Sequence, residues 1–534
     1  MLRFAPLLFL ALTGCALFRP GTLDEAGELL TEGSEEVLRD TLRPIRGGPR
    51  VLVMALDGVG DDVLRAALED GDLPQLAAVL GEREGERMWA HASGSAEVTA
   101  VFPSETASGW AAVFTGRPPA ETGVVGNEWF DRDSVRVYAP VPLSIGTYEQ
   151  TLAVYTDDFL GEQIQTPTLY ERADIRAHVA QAFVYRGADV LTRPDLTDIG
   201  ELIEGAVETL FGGAEEAFEE LDDDASEGLA GTMRRHGMAD LQVVYFGGPD
   251  LAAHGGGPEA QRAYLRDETD GDIGEVLDAY RQRGALNDLW IVVVADHGHT
   301  ETLDEEQQSV GEAARALLDS LGRRPLEPTL SPDSTDFDAV MTVNEAAAFL
   351  YLADSSTCDT TCDWKRPPRL EADVLPVARA FQEASASGTG PLGNALDLVL
   401  ARRSVRGESV PFQVVVDGRL VPLAEYLARN PRPDLVRLEE RIGWLTDGPM
   451  GHRAGDILLL AKAGGDRVLG ERFFFGVGGA SGHGSASASD SYIPLVVANP
   501  SRSGAEIRER VSAAVGDAPT QLDVTDLILS LLDR

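Results

Sequence analysis

Trp290-Ile291-Val292-Val293-Val294-Ala295 is an unbroken apolar run that stops at Asp296-His297-Gly298. Two runs of the same kind lie upstream. Val51-Leu52-Val53-Met54-Ala55-Leu56 ends at Asp57, and Gln242-Val243-Val244-Tyr245-Phe246 leads through Gly247-Gly248-Pro249 to Asp250. A continuous apolar run of this length fits a strand buried on both faces, as in a parallel sheet covered by helices. The segments between carry helical periodicity: Asp62 to Leu80, Ile199 to Asp222, Glu259 to Arg283 and Gln308 to Leu321. Strand alternating with helix predicts an α/β fold, a doubly wound, mostly parallel sheet sandwiched by helices. Further strands are expected at Ala348–Leu352, Phe412–Val416, Asp456–Leu460 and Ile493–Val497, with a closing helix at Val524–Leu532. Between 336 and 448 the rhythm turns irregular, with turn residues, a cysteine pair and a Pro-rich stretch. That segment reads as a subdomain inserted over a core of residues 50–335 and 449–534.

The 534 residues hold 88 Asp and Glu against 45 Lys and Arg, a formal charge of −43, with Lys365 and Lys462 the only lysines. Counterion release from a polyanion needs a basic face, so this balance points away from nucleic-acid polymers. A hydrophobic content of 43% is that of an ordinary globular chain and excludes disorder. The acidic surplus reads as a solvated coat.

The first residues read as a targeting segment. Arg3 supplies a positive n-region, and Phe4 to Leu12 is apolar but too short to span a bilayer. Leu12-Thr13-Gly14-Cys15 resembles the bacterial lipobox, so residues 1–14 are expected to be a lipoprotein signal peptide and Cys15 the lipidated mature terminus. An ordinary secretory signal with an incidental Cys15 is the alternative. Residues 15–49 read as a tether with one short helix, and the expected location is the bacterial cell envelope, anchored by lipid. Cys358 and Cys362 remain. In an oxidising compartment they suit a local disulfide, with half of a zinc site as the alternative.

In open α/β sheets ligands bind beyond the carboxyl ends of the strands. Asp57, Asp250 and Asp296 each follow such a strand, and each alone could be a helix N-cap. Three of the eight histidines change the balance. His254 lies four residues after Asp250, one helical turn on; His297 follows Asp296 directly; His483 sits in the loop Gly482-His483-Gly484-Ser485. Three carboxylates and three imidazoles make nitrogen/oxygen sites for two divalent metal ions, suited to zinc, or to manganese if more waters join. A nucleophile candidate lies in Phe102-Pro103-Ser104-Glu105-Thr106-Ala107-Ser108-Gly109-Trp110, where Ser104 or Thr106 is either an attacking hydroxyl at a helix start or an N-cap.

Taken in order, Ala55-Leu56-Asp57-Gly58, Phe102-Pro103-Ser104-Glu105-Thr106 with Thr115-Gly116, Gly123-Val124-Val125-Gly126-Asn127, Pro249-Asp250 with His254, Ala295-Asp296-His297-Gly298 and His483-Gly484 resemble the alkaline phosphatase superfamily. The type I phosphodiesterase/nucleotide pyrophosphatase branch is the most similar. The resemblance runs from about residue 50 to 534 and is weakest across 336–448. It implies one zinc held by Asp250, His254 and His483, and another by Asp57, Asp296, His297 and the Thr106 oxygen. It implies Thr106 as nucleophile and Ser104 as a non-attacking neighbour. A two-step displacement through a phospho-threonine follows, with the metals ~4 Å apart. One position departs from the pattern: an asparagine common three residues after the nucleophile is Gly109 here, which puts a nucleotide substrate in doubt. Asn127 is the substitute candidate for phosphoryl contact, or else a turn residue. Trp110 and Trp129 could stack a base, or be core.

The function expected is therefore an exported, metal-dependent phosphoric ester hydrolase acting on small esters, more on diesters than monoesters; no protein partner is indicated. A monoesterase on the same core would need a cation such as Arg117, Arg132 or Arg186 at the phosphoryl group. A sulfatase would need a Cys/Ser-x-Pro-x-Arg segment, which is missing, and a phosphoglycerate mutase a serine nucleophile. A non-catalytic binding lipoprotein is the alternative from another class.

Overall fold

The three apolar runs form neighbouring parallel strands, Leu241–Phe246, Arg50–Leu56 and Leu289–Ala295, in a computed structural model. The structure describes residues 35–141, 150, 153–154, 156–193, 215–303, 308–327, 336–359, 361–405, 408–464, 467–476 and 479–534. Cys15 and the signal segment lie outside the described residues, as does the first part of the helix expected from Ile199. Leu56 lies opposite both Phe246 and Ala295 in register. Because the three strands are in step, the residues just beyond them leave the sheet at one edge. Every residue of these strands except Arg50 is buried, which accounts for the unbroken apolar pattern.

Two further parallel strands, Ala177–Ala180 and Val190–Arg193, extend this block. The ten-stranded sheet is mixed beyond it. Leu495–Ala498 joins antiparallel to Leu289–Ala295, followed by the short strands Ala92–Gly94, Met88–Trp89 and Arg83–Gly85. An antiparallel strand starts where its parallel neighbours end. The loop before residue 495, which carries His483, therefore arrives at the same edge as Asp57, Asp250 and Asp296.

On the other side Glu35–Leu38 pairs antiparallel with Val190–Arg193. The described end of the 15–49 tether is thus an edge strand and not a helix. Arg43 fixes it by donating to Asp189, and the Arg46 backbone N–H does so by donating to Asp240. Residues 61–80 form two helices, because Gly71, at φ 80°, ends the first and Pro74 starts the second. The helix expected to stop at Asp222 runs on to His236.

Three of the strands expected downstream form a separate sheet: Ala347–Leu352, Gln413–Val416 and Ile457–Ala461 join Ala339–Asn344, Leu396–Ala401 and Arg419–Pro422 in six antiparallel strands. The Ile457–Ala461 strand comes from beyond residue 448, so this sheet is not drawn from 336–448 alone. Its faces separate cleanly. Ala347, Phe349 and Tyr351 join the main core, while Ala348, Leu350 and Leu352 pack with residues of the Gly311–Ser320 and Leu375–Ala386 helices. Period-2 geometry with both faces apolar yields another unbroken run. The Asn344–Ala347 turn of its first hairpin reaches the functional edge of the central sheet, where the Ala346 N–H donates to the His483 carbonyl at 3.1 Å.

Candidate metal centre

Thr106 is the first residue of the buried helix Thr106–Val113. Neither Ser104 nor Thr106 caps that helix. Asn127 does so instead, its Oδ1 accepting from the Ala107 N–H at 2.8 Å. Ser104 is structural: its hydroxyl donates to the Ser485 carbonyl (3.0 Å) and accepts from Arg441 Nη2 (2.7 Å). The Thr106 hydroxyl has no such tie and lies 3.2 Å from His297 Nε2.

Around His297 the sequence-expected residues converge. Asp57 uses Oδ2 for hydrogen bonds from Trp110 Nε1 (3.1 Å) and the Tyr245 hydroxyl. Asp296 uses Oδ1 for the N–H groups of Gly58 (3.1 Å) and His297 (3.0 Å). The other oxygens, Asp57 Oδ1 and Asp296 Oδ2, are buried without a hydrogen-bond partner. They lie 3.6 and 3.4 Å from His297 Nε2. Burial raises both carboxyls well above the usual carboxylate range, with the charge of Asp250 adding for Asp57 and that of Asp57 for Asp296. Burial likewise lowers His297 to about 3. Two orphaned carboxylate oxygens, a neutral imidazole nitrogen and a hydroxyl facing one another fit a divalent cation, which removes the cost of the buried charges.

Asp250 and His254 stand one turn apart at the start of the helix Gly248–Tyr264, with His254 Nε2 3.5 Å from Asp250 Oδ2. Asp222 holds that helix start in place, accepting from the Gly247 N–H at 2.9 Å and the Gly248 N–H at 3.2 Å. His483 stacks on His297 with ring centroids 3.9 Å apart and lies 5.1 Å from the His254 ring. Among the described residues three groups have ligand atoms all within 4.8 Å of one another: Asp57–Asp296–His297, Asp250–His254–His299 and Asp250–His297–His483. The structure thus brings together all seven expected groups, with Asp250 central.

Several contributors escape a reading by sequence. His299 is buried, its Nε2 2.7 Å from Asp250 Oδ1; the visible signal was a second histidine two residues after His297. Glu105 is buried with both oxygens unpartnered, 3.5 Å from His483 Nδ1. Asn344 fixes the Asn127 segment, its Oδ1 accepting from the Asn127 N–H at 2.7 Å. Arg441 ties Val101 and Ser104 to Ser491. Trp110 and Trp129 are fully buried and cannot stack on a ligand, since the first braces Asp57 and the second stacks on Tyr138. Cys358 and Cys362 are joined by a disulfide, far in sequence from these residues.

Gly109 has a local reason. A Cβ there would lie 2.8 Å from Asp296 Cβ and 3.2 Å from its carbonyl oxygen, so the Thr106–Val113 helix packs directly on the Asp296 turn. Any side chain at this position requires the helix and the turn to move apart.

Three aspartates, four imidazoles and one hydroxyl at the carboxyl edge of an α/β sheet define a class, hydrolases whose site is assembled from metal-ligand donors. The chain belongs to the type I phosphodiesterase/nucleotide pyrophosphatase family, whose sequence profile matches residues 51–351. It is accordingly a phosphoric ester hydrolase of the alkaline phosphatase superfamily. Human ectonucleotide pyrophosphatase/phosphodiesterase 5 shares the fold at 14% identity over 91% of this chain and 95% of its own, with a TM-score of 0.50. Phosphonoacetate hydrolase from Sinorhizobium meliloti 1021 is 16% identical over 93% of this chain and 100% of its own, with a TM-score of 0.49. No curated protein matches the chain in sequence.

Proposed function

We propose that the protein hydrolyses small phosphate diesters with Thr106 as nucleophile and two divalent cations, zinc or manganese, as cofactors. The observation that carries this is the set of atoms round His297 Nε2: the Thr106 hydroxyl at 3.2 Å and the two orphaned oxygens of Asp57 and Asp296. Asp57, Asp296, His297 and Thr106 hold one cation, and Asp250, His254 and His483 the other. The cations supply positive charge that favours the ionised hydroxyl and offsets charge building on the ester oxygens. Thr106 Oγ1 gives its proton to solvent and attacks phosphorus, the P–O bond to the leaving group breaks and releases it as the alcohol after protonation by water, and a phospho-threonine forms that still carries the second ester group. Water then cleaves that ester and restores the hydroxyl. Asn127 contributes through Nδ2, which is buried without a partner while Oδ1 is engaged on the Ala107 N–H, leaving a donor for a phosphoryl oxygen.

Diesters are favoured because two of the three arginines considered for a monoester's extra charge are committed elsewhere. Arg132 binds Asp456 and the Leu352 carbonyl, and Arg186 binds Glu171 and the carbonyls of Gly161, Ile164 and Thr166. The lipobox-like segment supports export and lipid anchoring at Cys15 in a bacterial envelope.

The test is turnover of bis(p-nitrophenyl) phosphate and p-nitrophenyl phosphate by the full-length protein in detergent. It is stripped with chelator, reloaded with Zn2+ or Mn2+, and compared with Thr106→Ala. Diester turnover that needs metal and vanishes in the variant is expected; wild-type rates in Thr106→Ala sink the nucleophile, and monoester preference sinks the substrate class. Fatty-acid labelling that persists in Cys15→Ser sinks the anchor.

A further inference from the structure

The strand Glu35–Leu38 closes one side of the ten-stranded sheet, and among the described residues no strand pairs with its outer border. Leu38 lies opposite Val190, the first residue of the neighbouring strand, so the chain leaves Glu35–Leu38 at the amino edge of the parallel block. It then follows that edge. The Arg46 N–H donates to Asp240, just ahead of the strand Leu241–Phe246, and Arg50 begins the strand Arg50–Leu56. Asp57, Asp250 and Asp296 gather at the opposite, carboxyl edge, about 20 Å away along the strands.

Two features set the amino edge apart. Among the described residues five large apolar side chains are exposed, and three of them, Val37 (40%), Leu38 (47%) and Ile45 (37%), lie on this stretch. Ile45 adjoins the end of the helix Glu215–His236, since a Cβ on Gly237 would meet its Cδ1 at 3.0 Å. The second feature is charge. Arg39, Arg46, Arg234, Arg235, Arg281 and Arg283 are exposed at this edge, against Asp40, Asp174, Asp278 and Asp288. Glu36 is taken up by Arg235 at 2.6 Å and His236 at 2.8 Å. Over the whole chain, by contrast, acidic residues outnumber Lys and Arg by 88 to 45. Helix dipoles account for the arginines that end Glu215–His236 and Asp270–Gln282. They do not account for Arg39 and Arg46, which follow a strand, or for the exposed apolar side chains beside them.

We infer that this amino edge is a membrane-contact face, which lays Val37, Leu38, Ile45 and the surrounding arginines on anionic phospholipid headgroups, an inference that rests on lipid anchoring at Cys15. Residues 16–34 separate Cys15 from the strand, and even fully extended they reach about 70 Å at most. A protein held that close meets the bilayer continually, and charge and apolar area select the face that stays. A chain with a formal charge of −43 is repelled by an anionic leaflet. The face where arginines outnumber acids is the one that can approach, and its exposed apolar side chains then enter the headgroup boundary. A second copy of the chain is the poorer occupant, because two arginine-rich faces repel each other. Docked this way, the edge carrying Asp57, Asp250 and Asp296 points into the aqueous phase, open to soluble esters.

Amide hydrogen exchange of the full-length protein, reconstituted into phosphatidylcholine vesicles with and without phosphatidylglycerol, tests the face. Exchange at 37–46 and 234–240 is expected to slow several-fold in the anionic vesicles alone, and to recover at high salt. In Leu38→Ser/Arg39→Glu/Arg234→Glu the slowing is expected to vanish, while turnover of the nitrophenyl diester in detergent stays at the wild-type rate. Equal exchange in the two vesicle types overturns the face and leaves the anchor standing. Slowing that needs no lipid and grows with protein concentration assigns the edge to a second copy and overturns the membrane face. Failure to float with either vesicle overturns anchor and face together. The wild-type comparison decides the matter even if the variant does not fold.

Discussion

Replacing Gly109 by alanine tests how directly the Thr106–Val113 helix is packed on the Asp296 turn. The new Cβ would meet Asp296 Cβ at 2.8 Å, the Asp296 carbonyl oxygen at 3.2 Å and Gln521 Nε2 at 3.3 Å. Carbon atoms prefer ~3.5–4.0 Å, so helix and turn must separate by about 0.7 Å or more. Asp296 cannot yield locally. Its Oδ1 accepts from Gly58 and His297, and its carbonyl accepts from Gln521 Nε2 at 2.8 Å. Overpacking of this kind costs about 1–3 kcal/mol, offset by about 1 kcal/mol of helix propensity gained over glycine. Net destabilisation is then about 0–2 kcal/mol. Catalysis should suffer more, since displacing reacting groups by about 1 Å costs on the order of 100-fold, or about 2.7 kcal/mol in the barrier. The measurements are kcat/KM on the nitrophenyl diester and urea denaturation of the same metal-loaded samples. The expected signature is an activity loss larger in free energy than the stability loss, and larger still in Gly109→Asn. Gly109→Ala with kcat/KM within twofold of wild type would refute the reasoning, because the Asp296 turn would then be free to move.

Three further outcomes follow from the same geometry. The Asp57 and Asp296 carboxyls are raised by burial, so they stabilise the metal-free fold below the unfolded carboxylate range near 4 and lose that contribution as pH rises through their folded values. Added metal should therefore stabilise more at pH 8 than at pH 5.5 and release protons on binding; equal increments at both pH values in chemical denaturation contradict this. Arg441 is buried and bonds Val101, Ser104 and Ser491, and burial lowers it only to about 9, still charged at neutral pH. Arg441→Met should cost about 2–4 kcal/mol by orphaning those acceptors and should lower kcat/KM. Arg441→Lys should not restore it, lacking the planar fork, and a silent Arg441→Met in both measurements rejects the clamp. Removing the disulfide in a Cys358→Ser/Cys362→Ser double variant should cost about 2 kcal/mol at most, for a loop this short. It should leave kcat/KM unchanged, and a large loss of activity ties the loop to the site.

Residues that announce themselves do so because a local rule forces them. A parallel strand buried on both faces has to be apolar throughout, so its end is visible as an abrupt aspartate, and Asp57, Asp250 and Asp296 are all found that way. The four-residue spacing of Asp250 and His254 survives because one helix carries both. The same rule misleads about the second sheet. Its strands are also apolar on both faces, so the sequence pattern does not separate them from those of the central sheet. The edge strand Glu35–Leu38 is hidden for the opposite reason. It is short and is held largely by pairing and by the arginines that follow it, not by an apolar pattern.

What the sequence determines by itself is the α/β class, the strand-end carboxylates, the histidines adjoining them and the acidic balance of the chain, since each is written in residues close together. What only the tertiary structure decides is how those groups meet. Asp250 faces His299, Asn127 caps the Thr106 helix, Gly109 is pressed on Asp296, and Arg441 binds Ser104 across 337 residues of chain. Such contacts depend on strand register and on the antiparallel entry of Leu495–Ala498. They are long-range consequences of packing, and no local pattern of residues records them.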